Sequence, residues 1–190
     1  MLQFLATLVA ALALVVSAPA SAALLSFSLD GKAGLGLLPG NENPAVTGGT
    51  GGLGPNGIFL DTNTGVLSLD VLWGSANGFT NLTGRATAMH IHGPTASPAP
   101  GSFTENAGVQ INLGVLAGFD GSATAGGFLD SVQLSGQQVE DLLQGRLYIN
   151  VHTEQQPGGE IRGTIVPEPG TLALVARGLL LFGAGRRRAR

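Results

Sequence analysis

The chain has 190 residues, no cysteine, and a combined glycine and proline content of about 22 %. Hydrophobic residues reach 44 %, enough for a core, whereas charged residues are only 11 % against an average of about 25 %. The missing cysteine excludes a disulfide-stapled scaffold, a zinc ribbon and a cysteine nucleophile; a single lysine, with five of the eight arginines in the last fourteen residues, excludes a basic nucleic-acid surface.

Charge divides the chain into a body and a tail. Residues 23–166 carry four basic side chains (Lys32, Arg85, Arg146, Arg162) against eleven acidic ones, a net of −7. Residues 167–190 carry five arginines against Glu168, a net of +4. An acidic body with a basic end gives the two segments different tasks.

Residues 2–16 form an apolar run broken only by Gln3 and Thr7. Ser17-Ala-Pro19 follows, and then Ala20-Ser-Ala22, with small residues at −3 and −1 of a cut between Ala22 and Ala23. This order describes a secretory signal peptide over 1–22 and predicts signal peptidase as its partner. The n-region departs from the pattern in having no lysine or arginine.

Residues 23–166 are the size of one domain, and they read as short strands between turns. Gly57-Ile-Phe-Leu60 and Val66-Leu-Ser-Leu-Asp-Val-Leu-Trp73 flank Asp61-Thr-Asn-Thr-Gly65, which predicts a hairpin with Leu67, Leu69, Val71 and Trp73 on its buried face. The same loop opens like a calcium site, but position 72 is leucine where the closing glutamate belongs, so it reads as a turn. Val109, Ile111 and Leu113 alternate in a further run, and 94–107 and 114–127 read as long loops. A capping box of Ser135 and Gln138 opens one short helix with Val139, Leu142 and Leu143 as its stripe, and Gly145 ends it. Arg146–Thr153 buries Leu147, Ile149 and Val151, turns at Gln156-Pro-Gly-Gly159, and pairs with a strand burying Ile161 and Ile165. Together these elements predict an all-β fold, an Ig-like antiparallel sandwich with one short helix.

Chemistry is concentrated in the three histidines, His90, His92 and His152. His90 and His92 stand two apart on a strand and share a side, with Ala86 and Ala88 expected on the same face to leave room. His152 lies on the Tyr148/Asn150 face of its own strand. Three imidazoles from two strands suit copper(II) or zinc; the other reading makes them structural, hydrogen-bonding neighbouring loops. Glu160 and Arg162, also two apart, are expected to form a surface ion pair worth under about 1 kcal/mol. No G-x-S-x-G elbow or other nucleophile motif occurs, so no catalytic residue is assigned and the protein is expected not to be an enzyme.

Two resemblances follow. Leu38-Pro-Gly-Asn-Glu-Asn-Pro44, Met89-His-Ile-His-Gly-Pro94, and Tyr148-Ile-Asn-Val-His-Thr153 with Pro157-Gly-Gly-Glu-Ile-Arg-Gly163 resemble the chordin-type CHRD domain over residues 25–166. The resemblance implies a barrel like that of copper/zinc superoxide dismutases. Those enzymes also use a His-x-His step, but they need further histidines that this chain lacks, so dismutase activity is not expected.

The tail holds Pro167-Glu-Pro169, an apolar run from Leu172 to Ala184, and Arg186, Arg187, Arg188 and Arg190. It resembles the PEP-CTERM sorting signal. That resemblance implies processing at the box by an exosortase-type transpeptidase of a Gram-negative bacterium, with the arginines cytoplasmic. Thirteen apolar residues span about 20 Å at 1.5 Å each, short of a hydrocarbon core of about 30 Å, and Arg177 interrupts them. This predicts a transient inner-membrane handle. The expected function is therefore an exported surface or matrix module, with extracellular polysaccharide as a partner. The alternative is a secreted copper- or zinc-binding protein using the three histidines.

Overall fold

The computed structural model describes residues 24–170. The signal-peptide segment with the Ala22/Ala23 cut, the apolar tail and Arg186, Arg187, Arg188 and Arg190 lie outside the described residues.

Nine strands and one helix make up the described fold. They are β1 (Leu24–Asp30), β2 (Gly51–Asp61), β3 (Val66–Trp73), β4 (Ala86–His92), β5 (Val109–Asn112), β6 (Phe119–Asp120), β7 (Gly126–Gln133), α1 (Gly136–Leu143), β8 (Tyr148–Thr153) and β9 (Ile161–Pro167). Every pairing is antiparallel, in the order β5-β4-β8-β9-β1-β2-β3-β7-β6. The sequence predicts a sandwich, and the two halves do share one core. Trp73 and Phe128 from one half belong to the same buried cluster as Met89, Ile91 and Ile149 from the other. The layers are nevertheless one curled sheet, because β1 pairs with β2 on one side and with β9 on the other.

The β2–β3 hairpin forms as its turn chemistry dictates, with the Asp61 carboxylate accepting from the backbone N–H groups of Asn63 and Thr64. In β3, Leu67, Leu69, Val71 and Trp73 are all buried, and removing each such side chain from water stabilises the fold by roughly 1.5–3 kcal/mol. The helix begins at the reciprocal Ser135/Gln138 capping box. It ends at Gly145, whose φ of +64° is the left-handed value that glycine tolerates best. The predicted terminal hairpin is β8–β9, with Leu147, Ile149, Val151, Ile161 and Ile165 buried.

Three local expectations need correction. In the run at 109–113, Leu113 is buried and Val109 is exposed, because β5 is an edge strand with little packed against it. The stretch 114–127 is not all loop: Phe119–Asp120 pairs with β7. Finally, a register shift between Ala86 and Ala88 sends Ala86 into the core rather than onto the histidine face. A bulge adds one residue to a strand and so reverses the sidedness on either side of it.

The Pro-Glu-Pro box begins inside this sheet. Pro167 is the last residue of β9, buried and opposite Phe27. The Glu168 N–H donates to the Ser26 carbonyl at 3.2 Å, and Ser26 Oγ donates to Glu168 Oε2 at 2.7 Å. Pro169 is exposed. No helix among the described residues is long and apolar enough to cross a membrane.

Candidate metal centre

Strands β4 and β8 are neighbours, and their register carries the three histidines to one place. Ala88 pairs with His152, His90 with Asn150, and His92 with Tyr148. The side chains of Met89, Ile91, Ile149 and Val151 point into the core, so alternation turns the imidazoles outward. There His90, His92 and His152 are half-buried, each offering a ring nitrogen within 4.8 Å of the others.

Hydrogen bonds fix how the rings are presented. His92 Nδ1 lies 2.9 Å from the Ala107 carbonyl, and His152 Nδ1 lies 2.9 Å from the Pro157 carbonyl. A carbonyl only accepts, so both rings hold their proton on Nδ1 and carry their lone pair on Nε2. His152 Nε2 accepts from His90 Nδ1 at 2.9 Å. His92 Nε2 is buried and has no partner. Buried polar atoms are normally satisfied, so this nitrogen is the feature of the cluster that asks for a ligand.

Burial favours the neutral form of His90 and His92. Burial, with the His152 and His92 charges second, holds His90 below the ordinary imidazole range. Burial also lowers His92, against the Ala107 hydrogen bond and with help from the charges of His152 and Arg162. Metal ligation needs neutral imidazole, and both shifts favour it. The donor set fits copper or zinc, which take imidazole readily. At bonds of about 2.0–2.1 Å and tetrahedral angles, ligand nitrogens stand roughly 3.4 Å apart. The His90 Nδ1–His152 Nε2 hydrogen bond occupies the lone pair of His152, so ligation requires that bond to break and the rings to shift within the 4.8 Å limit.

The surroundings hold residues whose roles the sequence did not give. Tyr148 stacks on His92 at 5.0 Å and 7°, and the Arg162 guanidinium lies 3.5 Å over the Tyr148 ring. Glu160 and Arg162 form no surface ion pair; both are buried, Glu160 at 0 % and Arg162 at 1 % exposure. Glu160 accepts four hydrogen bonds, from the N–H groups of Gly49 and Thr83 and the hydroxyls of Thr83 and Thr153. Arg162 donates to Asn106 Oδ1 and to the carbonyls of Ser102 and Glu105. Loops 38–50 and 93–107 cover a strand face that alternation alone assigns to solvent.

Fold and site together define a curled all-β domain with a three-imidazole cluster on its outer face. The model of the CHRD domain family matches residues 36–165, and the chain belongs to that family. Membership is consistent with an exported protein. No curated protein and no solved structure matches the chain.

Proposed function

We propose that the protein is an exported, non-enzymatic CHRD module that holds one copper or zinc ion at His90, His92 and His152. The buried, partnerless Nε2 of His92, beside two further imidazoles, carries this reading. His92 and His152 enter ligation through Nε2, with their Nδ1 protons already committed to carbonyls. A bound ion would supply a fixed positive charge, suited to gripping an exogenous ligand such as an extracellular polymer.

The test is titration of the full-length protein with Cu(II) and Zn(II) against a competing chelator. His92→Ala and His152→Ala should each weaken binding by about 10-fold or more, because each removes one of three ligands. Equal affinity in the wild type and the His90/His92/His152 triple alanine variant returns the cluster to a structural role.

On the same reading the ends are addresses: signal peptidase releases Ala23, and the apolar run from Leu172 to Ala184 enters the inner membrane briefly, where an exosortase-type enzyme processes the Pro-Glu-Pro box. N-terminal sequencing of envelope material tests the first step; a chain still beginning at Met1 would overturn it. Truncation after Gly170 tests the second better than deleting the Pro-Glu-Pro box, since that deletion also removes the end of β9. The truncated chain should lose its inner-membrane stage, and an unchanged distribution in fractionated cells would show the tail to be inert.

A further inference from the structure

Two carbonyls fix the imidazoles of His92 and His152, and each is carried by a loop rather than by the sheet. What holds those loops is traceable. Arg162 Nη1 donates to Asn106 Oδ1 at 2.9 Å, and Nη2 donates to the carbonyls of Ser102 and Glu105 at 3.2 and 2.6 Å. The next residue is Ala107, whose carbonyl accepts from both His92 Nδ1 and the Tyr148 hydroxyl, and whose N–H donates back to that hydroxyl at 3.1 Å. The guanidinium also lies over Tyr148, the ring on which His92 stacks. Arg162 therefore touches every element that orients His92 except strand β4 itself.

Glu160 stands in the same relation to His152. Its Oε2 accepts from Thr153 Oγ1 at 2.7 Å, and that hydroxyl oxygen accepts from the Gln156 N–H at 3.1 Å. The Thr153 N–H donates to the Gln156 carbonyl, closing the turn from both sides. Pro157 follows directly and offers its carbonyl to His152 Nδ1. Neither buried residue contacts an imidazole. Each acts through its own loop, and the two loops share no residue.

We propose that Arg162 and Glu160 are the positioning residues of the three-imidazole site, Arg162 fixing the tautomer of His92 through residues 102–107 and Glu160 that of His152 through residues 153–157. The functional meaning rests on the metal reading above, whereas the tautomers are a property of the metal-free chain. Both anchors leave Nε2 as the lone-pair nitrogen, the form a metal ion requires. Partners bonded directly to a ligating imidazole, here the Ala107 and Pro157 carbonyls, typically set affinity by about 10–100-fold, and Arg162 and Glu160 act by holding them.

Imidazole 15N–1H correlation spectra of full-length protein labelled at histidine, at about pH 8 where free imidazole (pKa about 6.5) is neutral, test it directly. Wild type should show Nδ1–H on His92 and on His152. Arg162→Lys keeps the charge but loses the fork; it should mix the tautomers of His92 and leave His152 unchanged. Glu160→Gln should do the reverse. Asn106→Ala and Thr153→Val repeat the two arms with smaller changes and decide the question if either first variant does not fold. Cu(II) affinity should fall in each variant, by up to about 10-fold, the lower end of what direct partners of a ligand contribute.

Variants that disturb neither ring, or both rings equally, overturn the proposal, since a merely structural role predicts no such selectivity. Selective tautomer changes in a protein that binds neither Cu(II) nor Zn(II) would support the positioning and overturn the metal reading.

Discussion

Strands β3 and β7 differ from β8 and β9 in what covers their second face. In β3 and β7 one face is in the core, and much of the other meets water: Ser68 and Leu129 are exposed, and Leu72 is partly so. In β8 and β9 nearly every residue is buried, polar ones included: Asn150, Thr153, Arg162 and Thr164. A face withdrawn from water stabilises only if its polar groups find partners, because an unpaired buried group costs about 1–3 kcal/mol. The polar face of β8 and β9 largely meets this condition through loop carbonyls and buried carboxylates, with Asn150 Oδ1 left unpaired. The candidate site therefore lies where the fold has most to lose.

The comparison breaks first at Glu160. Glu160→Ala strands two buried donors, on Gly49 and Thr153, and leaves the two of exposed Thr83 to water, so urea unfolding should show a loss of about 2–4 kcal/mol. A loss under about 1 kcal/mol would mean that the loops rearrange freely, and the contrast between the halves would disappear.

Glu42 tests the same face through pH. It is buried and accepts from Asn150 Nδ2 at 2.8 Å. Burial raises its pKa from 4.5 to about 7, against the lowering pull of Arg162, Lys32 and the Asn150 hydrogen bond. A carboxyl with a raised folded pKa holds its proton longer in the native state. Its stability contribution is intact below 4.5 and is lost as pH climbs through 7. Glu42→Gln should remove that slope and leave the variant more stable than wild type at about pH 8, by on the order of 3 kcal/mol. At about pH 4 the two should coincide. Parallel stability curves from pH 4 to 8 would show that Glu42 is not desolvated.

Smaller effects belong to features outside the covered face. Ser135→Ala removes one half of the capping box and should cost about 1 kcal/mol in thermal or urea unfolding. Leu129→Ser on the open face of β7 should change stability by less than about 0.5 kcal/mol. A larger loss there would show that this half also has a covered second face.

Much of the fold was legible because it is local. The Asp61–Gly65 turn, the capping box and the alternation in β3, β8 and β9 each depend on residues within a few positions of one another. Strand β1 escaped, although Leu25, Phe27 and Leu29 alternate, because it follows directly on a predicted leader. The bulge at β4 also escaped: one extra residue turns Ala86 to the core and leaves no signature in the amino acids themselves. The histidines were legible as a group through strand period and shared motifs. Their tautomers were not, since these depend on carbonyls of Ala107 and Pro157 that any residue would carry.

Glu160 and Arg162 mark the boundary between the two kinds of information. Two residues apart in an extended segment, opposite in charge, they read as a solvated pair, and nothing in their neighbours contradicts that. The sequence by itself determined an all-β body, its hairpins, its helix and the shared face of three histidines, because period and turn chemistry act over short spans. Only the tertiary structure decided which faces lose water. Loops from 38–50 and 93–107 fold over β8 and β9, and desolvation turns charged surface candidates into buried anchors, each satisfied by groups between 7 and 111 residues away in the chain.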